Sequence, residues 1–465
     1  MSAEQKKLSP LFNVLLIRYG EIALKSQQVR KRLLRSLMRN VKFHCNRDNV
    51  KFTRIWRDHG FVYLHPEQGH MKKAIACIKT VLGVHSISPA IYVQGDFEVI
   101  QDTTLKLARD SLSDGNTFGV RARRIGEHSF SSNDIAKTAG ARIIKELGDS
   151  LHLKVDLSQP DKWIHINVRD KNIFVYSESI NTPWSGNPIE SSTEGGILLS
   201  RGHLSEFVSA MLLMKRGVHI IPVVFSENPS KDELIHSILK NLKQYIPIRS
   251  FYYFKVSTHH FQKRLRDLSE RFDYVPLEYL LNRKFQLLFG SWLIENHKTL
   301  FEKFEATHRL DWNSNIASYL SNKQQKSRPG KPRKLIDYVS IVEGNYPFSY
   351  YSSIVPFFRN IESSHIPIFR AAIAFSQEEI LERFKRLASI DENQLVQLLD
   401  YSNIDETTPT SEKNYPFDPQ LRDSIPNSIT SNFDDFWTTI LRELDSVLKD
   451  LYSEDPLENL ELIEI

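Results

Sequence analysis

Residues 195–225 read GGILLSRGHLSEFVSAMLLMKRGVHIIPVVF, a pattern typical of a strand, a tight loop, a helix and a second strand. The runs 197–199 and 218–225 are apolar, as expected of buried parallel strands. Residues 206–216 carry apolar side chains at helical spacing, and Gly217 marks the expected end of that helix. The first N–H groups of a helix lack partners and its dipole favours negative charge there. The stretch therefore predicts an anion-binding corner at residues 200–205.

Length and composition restrict the class of protein. The 465 residues are enough for two to four domains, and 41% of them are hydrophobic, which allows buried cores. No run of 18 apolar residues predicts a membrane span, and the opening MSAEQKKLSP lacks the apolar core of a signal peptide. The chain has two cysteines, Cys45 and Cys77, which argues against a disulfide framework. We expect a cytoplasmic protein in which both cysteines are structural.

Charge is distributed unevenly along the chain. The net charge is +5, but residues 401–465 hold 15 acidic and 4 basic residues, which leaves the first 400 residues with a net charge of +16. A basic body favours a polyanionic partner, above all nucleic acid. Ordinary solvated surface is the alternative that charge alone leaves open.

The first hundred residues predict alternating elements in the order β-α-β-β-α-β. We expect strands at 11–19, 51–56, 60–64 and near 86–90, with helices at 29–40 and 71–80. This order is the ferredoxin-like arrangement. On the first helix Arg32, Arg35 and Arg39 fall at i, i+3 and i+7 and share a face. Such a row could follow RNA phosphates or could be a solvated helix surface.

A second arginine-rich stretch, RARRIGEHSFSSNDIAKTAGARIIKEL, begins at residue 121. Helices are predicted at 97–112 and 133–147, the second capped by Ser131 or Ser132, and strands at 117–121, 154–157, 163–169 and 172–179. Arginines at a sheet edge beside a helix N-terminus could bind an RNA backbone, although intramolecular ion pairs are an alternative for Arg121 and Lys137. The candidate RNA-binding residues are Arg32, Arg35, Arg39, Arg121, Arg123, Arg124, His128 and Lys137.

The rest of the chain divides into a linker, an α/β region and an acidic tail. Residues 181–194 contain Pro, Gly and Ser without a period and are predicted to be a linker. Residues 195–400 alternate apolar runs with helical patterns, typical of a parallel α/β domain, with strands at 197–199, 218–225, 250–256 and 366–369 and helices at 231–242, 264–272 and 377–387. Residues 322–334 form a basic segment, predicted to be a loop that either binds RNA electrostatically or is a solvated insertion. Residues 432–452 predict an amphipathic helix that packs on its own domain or binds a partner.

Four stretches resemble one known family. They are LIRYGEIALKS at 16–26, GVRARRIGEHSFSSNDIAKTAGARI at 119–143, the opening stretch at 195–225, and IPIFRAAIAFSQEEILERFKRLASI at 366–390. Together they resemble the tRNA sulfurtransferase (4-thiouridine synthetase) family. The resemblance implies a multidomain α/β and α+β protein. Its N-terminal part would be a ferredoxin-like domain at 1–75 and a THUMP domain at 76–181. A parallel α/β PP-loop domain of the adenine nucleotide alpha hydrolase-like type would follow at 182–400, and an acidic helical extension at 401–465.

The resemblance also implies a chemistry that this sequence does not support. Active members bind tRNA, adenylate a uridine with ATP and deliver sulfur from a cysteine persulfide. Their loop reads S-G-G-x-D-S, in which the glycines admit the ATP phosphates and the aspartate lies near the metal. In this chain Ser200, Gly202 and Ser205 match that loop and His203 holds the variable position, whereas Arg201 replaces a glycine and Leu204 the aspartate.

We therefore expect no catalytic residue and no metal site, and we expect ATP and Mg²⁺ only if the degenerate loop still functions. No cysteine follows residue 77 that could transfer sulfur. One hypothesis is a catalytically degenerate tRNA-binding protein that acts in tRNA thiolation. It would work with an active paralogue or another protein, which the acidic tail would bind. Whether the protein forms a dimer stays open. An active thiolation enzyme with groups supplied elsewhere, and a protein-binding scaffold, are the alternatives.

Overall fold

The computed structural model describes residues 8–58, 60–189, 194–226, 229–248, 251–257, 289–296, 337–342, 368–369, 371–372, 375–387, 442, 446 and 460–464. The chain forms two compact units, Met1–Pro188 and Ile189–Ile465. Among the described residues, no helix is both long and apolar enough to span a membrane. The predicted helix 264–272, the basic segment 322–334 and nearly all of the predicted helix 432–452 lie outside the described residues.

The first unit contains one sheet of nine strands and four α-helices. The strands are β1 (Val14–Tyr19), β2 (Phe52–Asp58), β3 (Phe61–Pro66), β4 (Val84–Gln94), β5 (Thr117–Ile125), β6 (Lys154–Val155), β7 (Lys162–Arg169), β8 (Asn172–Tyr176) and β9 (Ile180–Asn181). The helices are α1 (Gln27–Arg47), α2 (Met71–Lys79), α3 (Phe97–Ser111) and α4 (Ser132–Leu147), with a short 3₁₀ helix at Glu21–Leu24. The strand order is β2-β3-β1-β4-β8-β7-β5-β6, and β9 also pairs with β4.

The first four strands and two helices confirm the predicted ferredoxin-like order. Strand β1 lies between β3 and β4, antiparallel to both, and α1 and α2 pack on the face that carries Leu15 and Ile17. Helix α1 runs seven residues beyond its predicted end at residue 40, because Val41 and Cys45 continue its buried stripe. The expected domain boundary at residue 75 falls inside α2.

Strand β4 joins the two halves of the first unit. Its first half pairs with β1, and its second half pairs with β8, where Ile91 lies opposite Val175. Strand β5 runs parallel to β7 over eight residue pairs, and α3 and α4 cover the face that carries Ile164 and Ile166. Ser131 caps α4 through a capping box with Asp134, in agreement with the predicted start of that helix.

The segment predicted as a linker packs on the first unit over its first residues. Asn181 pairs with Ser86 of β4, and Trp184 is only 5% exposed. Gly83 has φ +97°, and a Cβ built on it would lie 3.0 Å from the Pro188 nitrogen, so this approach requires glycine. The linker prediction followed from Pro, Gly and Ser in this segment and did not take into account that Trp184 could pack against the first unit.

The described residues of the second unit form a six-stranded sheet in the order β14-β13-β10-β11-β12-β15. Its strands are β10 (Glu194–Ser200), β11 (His219–Ser226), β12 (Tyr252–Ser257), β13 (Asp337–Val342), β14 (Ile368–Phe369) and β15 (Leu460–Glu464). Its helices include α5 (Leu204–Met214), α6 (Pro229–Lys243) and Gln377–Leu387. The pairs are parallel except that β15 runs antiparallel to β12. The parallel α/β prediction is confirmed, but β13 was not predicted, and neither was β15, which lies in the expected acidic extension.

Candidate nucleic-acid interface

The helices of the first unit cover one face of its sheet, and the opposite face carries a cluster of aromatic rings. We call this the helix-free face; its buried members are Val14, Leu16, Tyr63, Ala90, Phe174 and Tyr176. The rings of Tyr63 and Phe174 stack with centroids 4.6 Å apart, although β3 and β8 are separated by two strands. A flat sheet would place strands at that separation about 14 Å apart. The sheet therefore curls around β1 and β4, and its helix-free face is concave.

The concave face encloses a pocket of about 280 Å³, close to the lower limit of about 300 Å³ for small-ligand pockets. We call it the arginine pocket, and its lining residues are Arg18, Phe61, Arg121, Arg123, His165, Asn167, Arg169, Tyr176 and Ser179. Four of these nine residues are arginines and none is acidic. The pocket is therefore positively charged at neutral pH.

The pleat of the strands brings these side chains together. Side chains two residues apart on a strand share a face. Arg121 and Arg123 therefore project from the same face of β5. On β7 the same spacing places His165, Asn167 and Arg169 on one face. On β1 it places Arg18 on the same face as the buried Val14 and Leu16.

Arg18 and Arg169 lie against the aromatic wall of the pocket. Arg18 donates a hydrogen bond of 2.8 Å from Nη1 to Ser88 Oγ, and its Cζ lies 5.2 Å and 5.1 Å from the ring centroids of Phe61 and Tyr176. Arg169 is 7% exposed, and its Cζ lies 5.0 Å from the Phe61 ring centroid. Its Nε and Nη1 are buried and have no hydrogen-bond partner within the part of the chain that the structure describes. Because unpaired buried donors are costly, they indicate a place for an anionic acceptor.

His165 lies in the pocket beside the arginine side chains. Its ring stacks on Tyr176 with centroids 5.0 Å apart. Burial first, and then the charges of Arg18, Arg121 and Arg123, lower the pKa of His165 to about 4. The imidazole is therefore uncharged at neutral pH and can both donate and accept a hydrogen bond.

The His165 ring should titrate with a midpoint near pH 4, which NMR of ¹³C-labelled histidine can measure. Since this pKa lies below the unperturbed value of 6.5, protonation favours the unfolded chain as the pH falls from about 6.5 to about 4. A phosphate among the arginines should raise the midpoint. His219, whose pKa burial lowers to about 4 in the second unit, is the matched control and should not respond. A His165 midpoint near 6.5 in the free protein would contradict this electrostatic description.

The RNA-binding residues predicted from the sequence fall on three separate surfaces. Only Arg121 and Arg123 line the arginine pocket, and the Cζ of Arg121 lies 3.5 Å from the Trp163 ring centroid. Arg124 bonds the Gly126 carbonyl, His128 lies 3.2 Å from the Ile125 carbonyl, and Lys137 is exposed on α4. Arg32 and Arg35 are exposed on α1, where Arg39 is partly buried.

Four further polar residues of the pocket were not predicted from the sequence: Arg18, His165, Asn167 and Arg169. The signal was present in WIHINVR, where polar residues alternate with apolar ones at the period of a strand. Arg142, which follows the candidate residues in the sequence, is instead held by Glu98, Asp102 and Glu146 on the helical side.

In the second unit, β10 and α5 position the loop at residues 200–205. The Glu206 carboxylate oxygen Oε2 accepts hydrogen bonds from the Ser200 hydroxyl at 2.8 Å and from the backbone N–H groups of Arg201, Gly202 and His203 at 3.0, 3.1 and 3.1 Å. Leu204 is buried. Among the described residues, no group of three His, Cys, Asp or Glu side chains could hold a metal ion.

The two cysteines belong to the core of the first unit. Cys45 lies on α1 and Cys77 on α2, and both are buried. Their mutual hydrogen bond, together with burial, raises the pKa of the Cys77 thiol. A thiol with a raised pKa is a poor nucleophile at neutral pH.

Comparison with known proteins gives matches to both halves of the first unit. Residues 14–88 match the ThiI ferredoxin-like domain, and residues 94–178 match the THUMP domain. A probable tRNA sulfurtransferase of Methanosarcina acetivorans is 34% identical over 223 residues, which are 48% of this chain and 53% of the relative. One from Methanobrevibacter smithii is 31% identical over 245 residues, which are 50% of this chain and 60% of the relative.

A solved structure extends the likeness in fold to the second unit. The crystal structure of a 4-thiouridine synthetase–RNA complex with bound ATP is 17% identical, with a TM-score of 0.63 over 98% of this chain and 100% of that one. In sequence, the chain spans only 53–60% of the length of these two relatives. The chain therefore contains a ThiI ferredoxin-like domain and a THUMP domain, and over about half of its length it is similar to probable tRNA sulfurtransferases.

Proposed function

We propose that this protein binds tRNA through the helix-free face of its first unit and acts in tRNA thiolation without performing ATP chemistry itself. The observation that supports this most is the arginine pocket, in which the buried Nε and Nη1 of Arg169 have no hydrogen-bond partner among the described residues. The groups that complete the reaction would come from a separate catalytic protein. The scarcity of cysteine favours the cytoplasm as its compartment.

The chemistry of the pocket suits an RNA backbone. Guanidinium groups form paired hydrogen bonds to phosphate oxygens, and arginine stacked on an aromatic ring keeps its N–H edges available. The rings of Phe61 and Tyr176 support the guanidinium groups of Arg18 and Arg169 in this way. Of the candidate residues, the proposal requires Arg121 and Arg123, whereas Arg32, Arg35, Arg39, Arg124, His128 and Lys137 lie outside the pocket.

Three observations support the loss of ATP chemistry. Arg201 and Leu204 replace the glycine and the aspartate of the loop, and Leu204 is buried where it offers no oxygen to a metal. The N–H groups of the loop already bind Glu206. Both cysteines of the chain are buried in the first unit, and none follows residue 77.

The proposal is tested by measuring tRNA affinity over a salt gradient and ATP–pyrophosphate exchange on the same protein. Each RNA phosphate contact contributes a slope of about −0.7 to −0.9 in log affinity against log salt, so four contacts should weaken binding roughly 50- to 150-fold between 50 and 200 mM salt. We expect this loss, and no exchange with or without tRNA. Binding that is absent even at low salt would favour a protein-binding scaffold. Detectable exchange would show an active enzyme.

A further inference from the structure

The loop between β10 and α5 resembles an anion-binding corner in which an anion is already bound. Consecutive backbone N–H groups at a helix N-terminus form a concavity that suits phosphate or carboxylate. Here the N–H groups of Arg201, Gly202 and His203 converge on one oxygen of Glu206, and the hydroxyl of Ser200 completes the set. Glu206 is 5% exposed, so its carboxylate lies inside the protein.

We propose that Glu206 is the resident anion of this corner and that it excludes nucleotide phosphates from the loop. The inference rests on the proposed loss of ATP chemistry and supplies a physical cause for it beyond the missing glycine and aspartate. A carboxylate that accepts four hydrogen bonds takes the donors that a phosphate oxygen would need. Its negative charge would also repel a phosphate that approached the same N–H groups.

Helix α6 packs closely against the loop on the Cα side of Gly202. Gly202 has φ +97°, and a Cβ built there would lie 3.2 Å from both Lys231 Cε and Ile235 Cδ1 of α6. Lys231 is itself buried, so α6 covers this side of the corner. The N–H groups of the loop are bound to Glu206, so the residues present do not fit the phosphates of ATP while Glu206 keeps its position.

Burial raises the pKa of Glu206, and the electrostatic interaction with His203, followed by hydrogen bonds from Ser200 and from the backbone of Arg201 and Gly202, opposes that rise. Ser200 and the two backbone N–H groups donate hydrogen bonds to the carboxylate, and the helix dipole also favours its charged form. The arrangement is the one expected of an internal ligand, since Glu206 also forms a capping box with His203.

Replacement of the side chain tests the inference with inorganic phosphate and pyrophosphate as probes. Glu206→Ala should leave the loop N–H groups without a bound anion and lower the unfolding temperature of the full chain. Addition of 10 mM phosphate or pyrophosphate should then raise the unfolding temperature of this variant by several degrees. Glu206→Gln is the matched control, because its amide oxygen can still accept the loop N–H groups. Wild type and Glu206→Gln should show no such stabilisation, and calorimetric titration should detect binding only to Glu206→Ala.

The outcomes separate this inference from the proposed function. A folded Glu206→Ala protein that gains no phosphate binding would overturn the role of Glu206 and leave the tRNA-binding proposal standing. Wild-type protein that binds pyrophosphate as tightly as Glu206→Ala would overturn the inference, and wild-type ATP–pyrophosphate exchange would overturn both. If Glu206→Ala does not fold, Glu206→Ser removes the carboxylate but keeps a small polar side chain in the first turn of α5. It should bind phosphate, and a folded Glu206→Ser protein with no binding would also overturn the inference.

Discussion

Reversal of Arg121 and Arg123 to glutamate should lower tRNA affinity about 100-fold at 100 mM salt. Both side chains are exposed and line the arginine pocket, and within the described residues neither is paired with a carboxylate. Each lost phosphate contact should also reduce the salt dependence by about one unit of slope, so the double variant should lose about two. Fluorescence anisotropy with labelled tRNA over a salt gradient measures both quantities.

Arg124→Glu is the matched control for this double variant. Arg124 follows Arg123 directly in β5 but bonds the carbonyl of Gly126 and does not line the pocket. Its reversal changes the net charge by the same amount per residue, and affinity should stay within about 3-fold of wild type, because neighbouring residues of a strand point to opposite faces of the sheet. Equal losses from Arg123→Glu and Arg124→Glu would show that net charge, rather than the pocket, determines binding.

Tyr63→Ala should destabilise the first unit by about 3–5 kcal/mol, the usual cost of removing a buried aromatic side chain. Tyr63 is fully buried and stacks on both Trp56 and Phe174, with centroids 5.0 Å and 4.6 Å away. Its loss would remove the ring that joins β3 to β8 across the concave face. Denaturant unfolding monitored by tryptophan fluorescence should show an earlier first transition, and tRNA affinity should fall with the shape of the pocket.

Tyr63→Phe separates ring packing from the hydroxyl group. The Tyr63 hydroxyl is buried without a hydrogen-bond partner within the described residues, and burial raises the pKa of the phenol. Removing an unsatisfied polar group should be neutral or slightly stabilising, with tRNA affinity unchanged. A loss above about 2 kcal/mol in Tyr63→Phe would mean that the hydroxyl makes a contact on which the fold depends.

Periodicity predicted most of the fold, because each element is encoded locally. The apolar alternation of β1 and the helical spacing of α1 and α2 were sufficient for the ferredoxin-like order. The arginine pocket could not be predicted in this way. Arg18 and Arg169 are about 150 positions apart in sequence, and they meet only because the sheet curls so that Tyr63 reaches Phe174. Such curvature depends on packing between strands that are distant in sequence.

The loop at residues 200–205 could be predicted only in part from the sequence. Its departures at Arg201 and Leu204 are visible in the sequence, but Glu206 looks like an ordinary acid in the first turn of a helix. Only the three-dimensional arrangement shows that the loop N–H groups and Ser200 converge on its carboxylate. Strand β15 was missed because five residues at the end of an acidic segment carry too short a pattern to indicate a strand.

Arginine footprinting tests the central claim, that tRNA binds in the arginine pocket, most directly. Phenylglyoxal modifies exposed arginines, and mass spectrometry reports the extent at each position with and without saturating tRNA. Arg121 and Arg123 in the pocket and Arg32 and Arg35 on α1 are all exposed in the free protein, so one sample contains both the test and its control. We predict strong protection of Arg121 and Arg123 and unchanged modification of Arg32 and Arg35. Protection of Arg32 and Arg35 together with full modification of Arg121 and Arg123 would contradict tRNA binding in the arginine pocket.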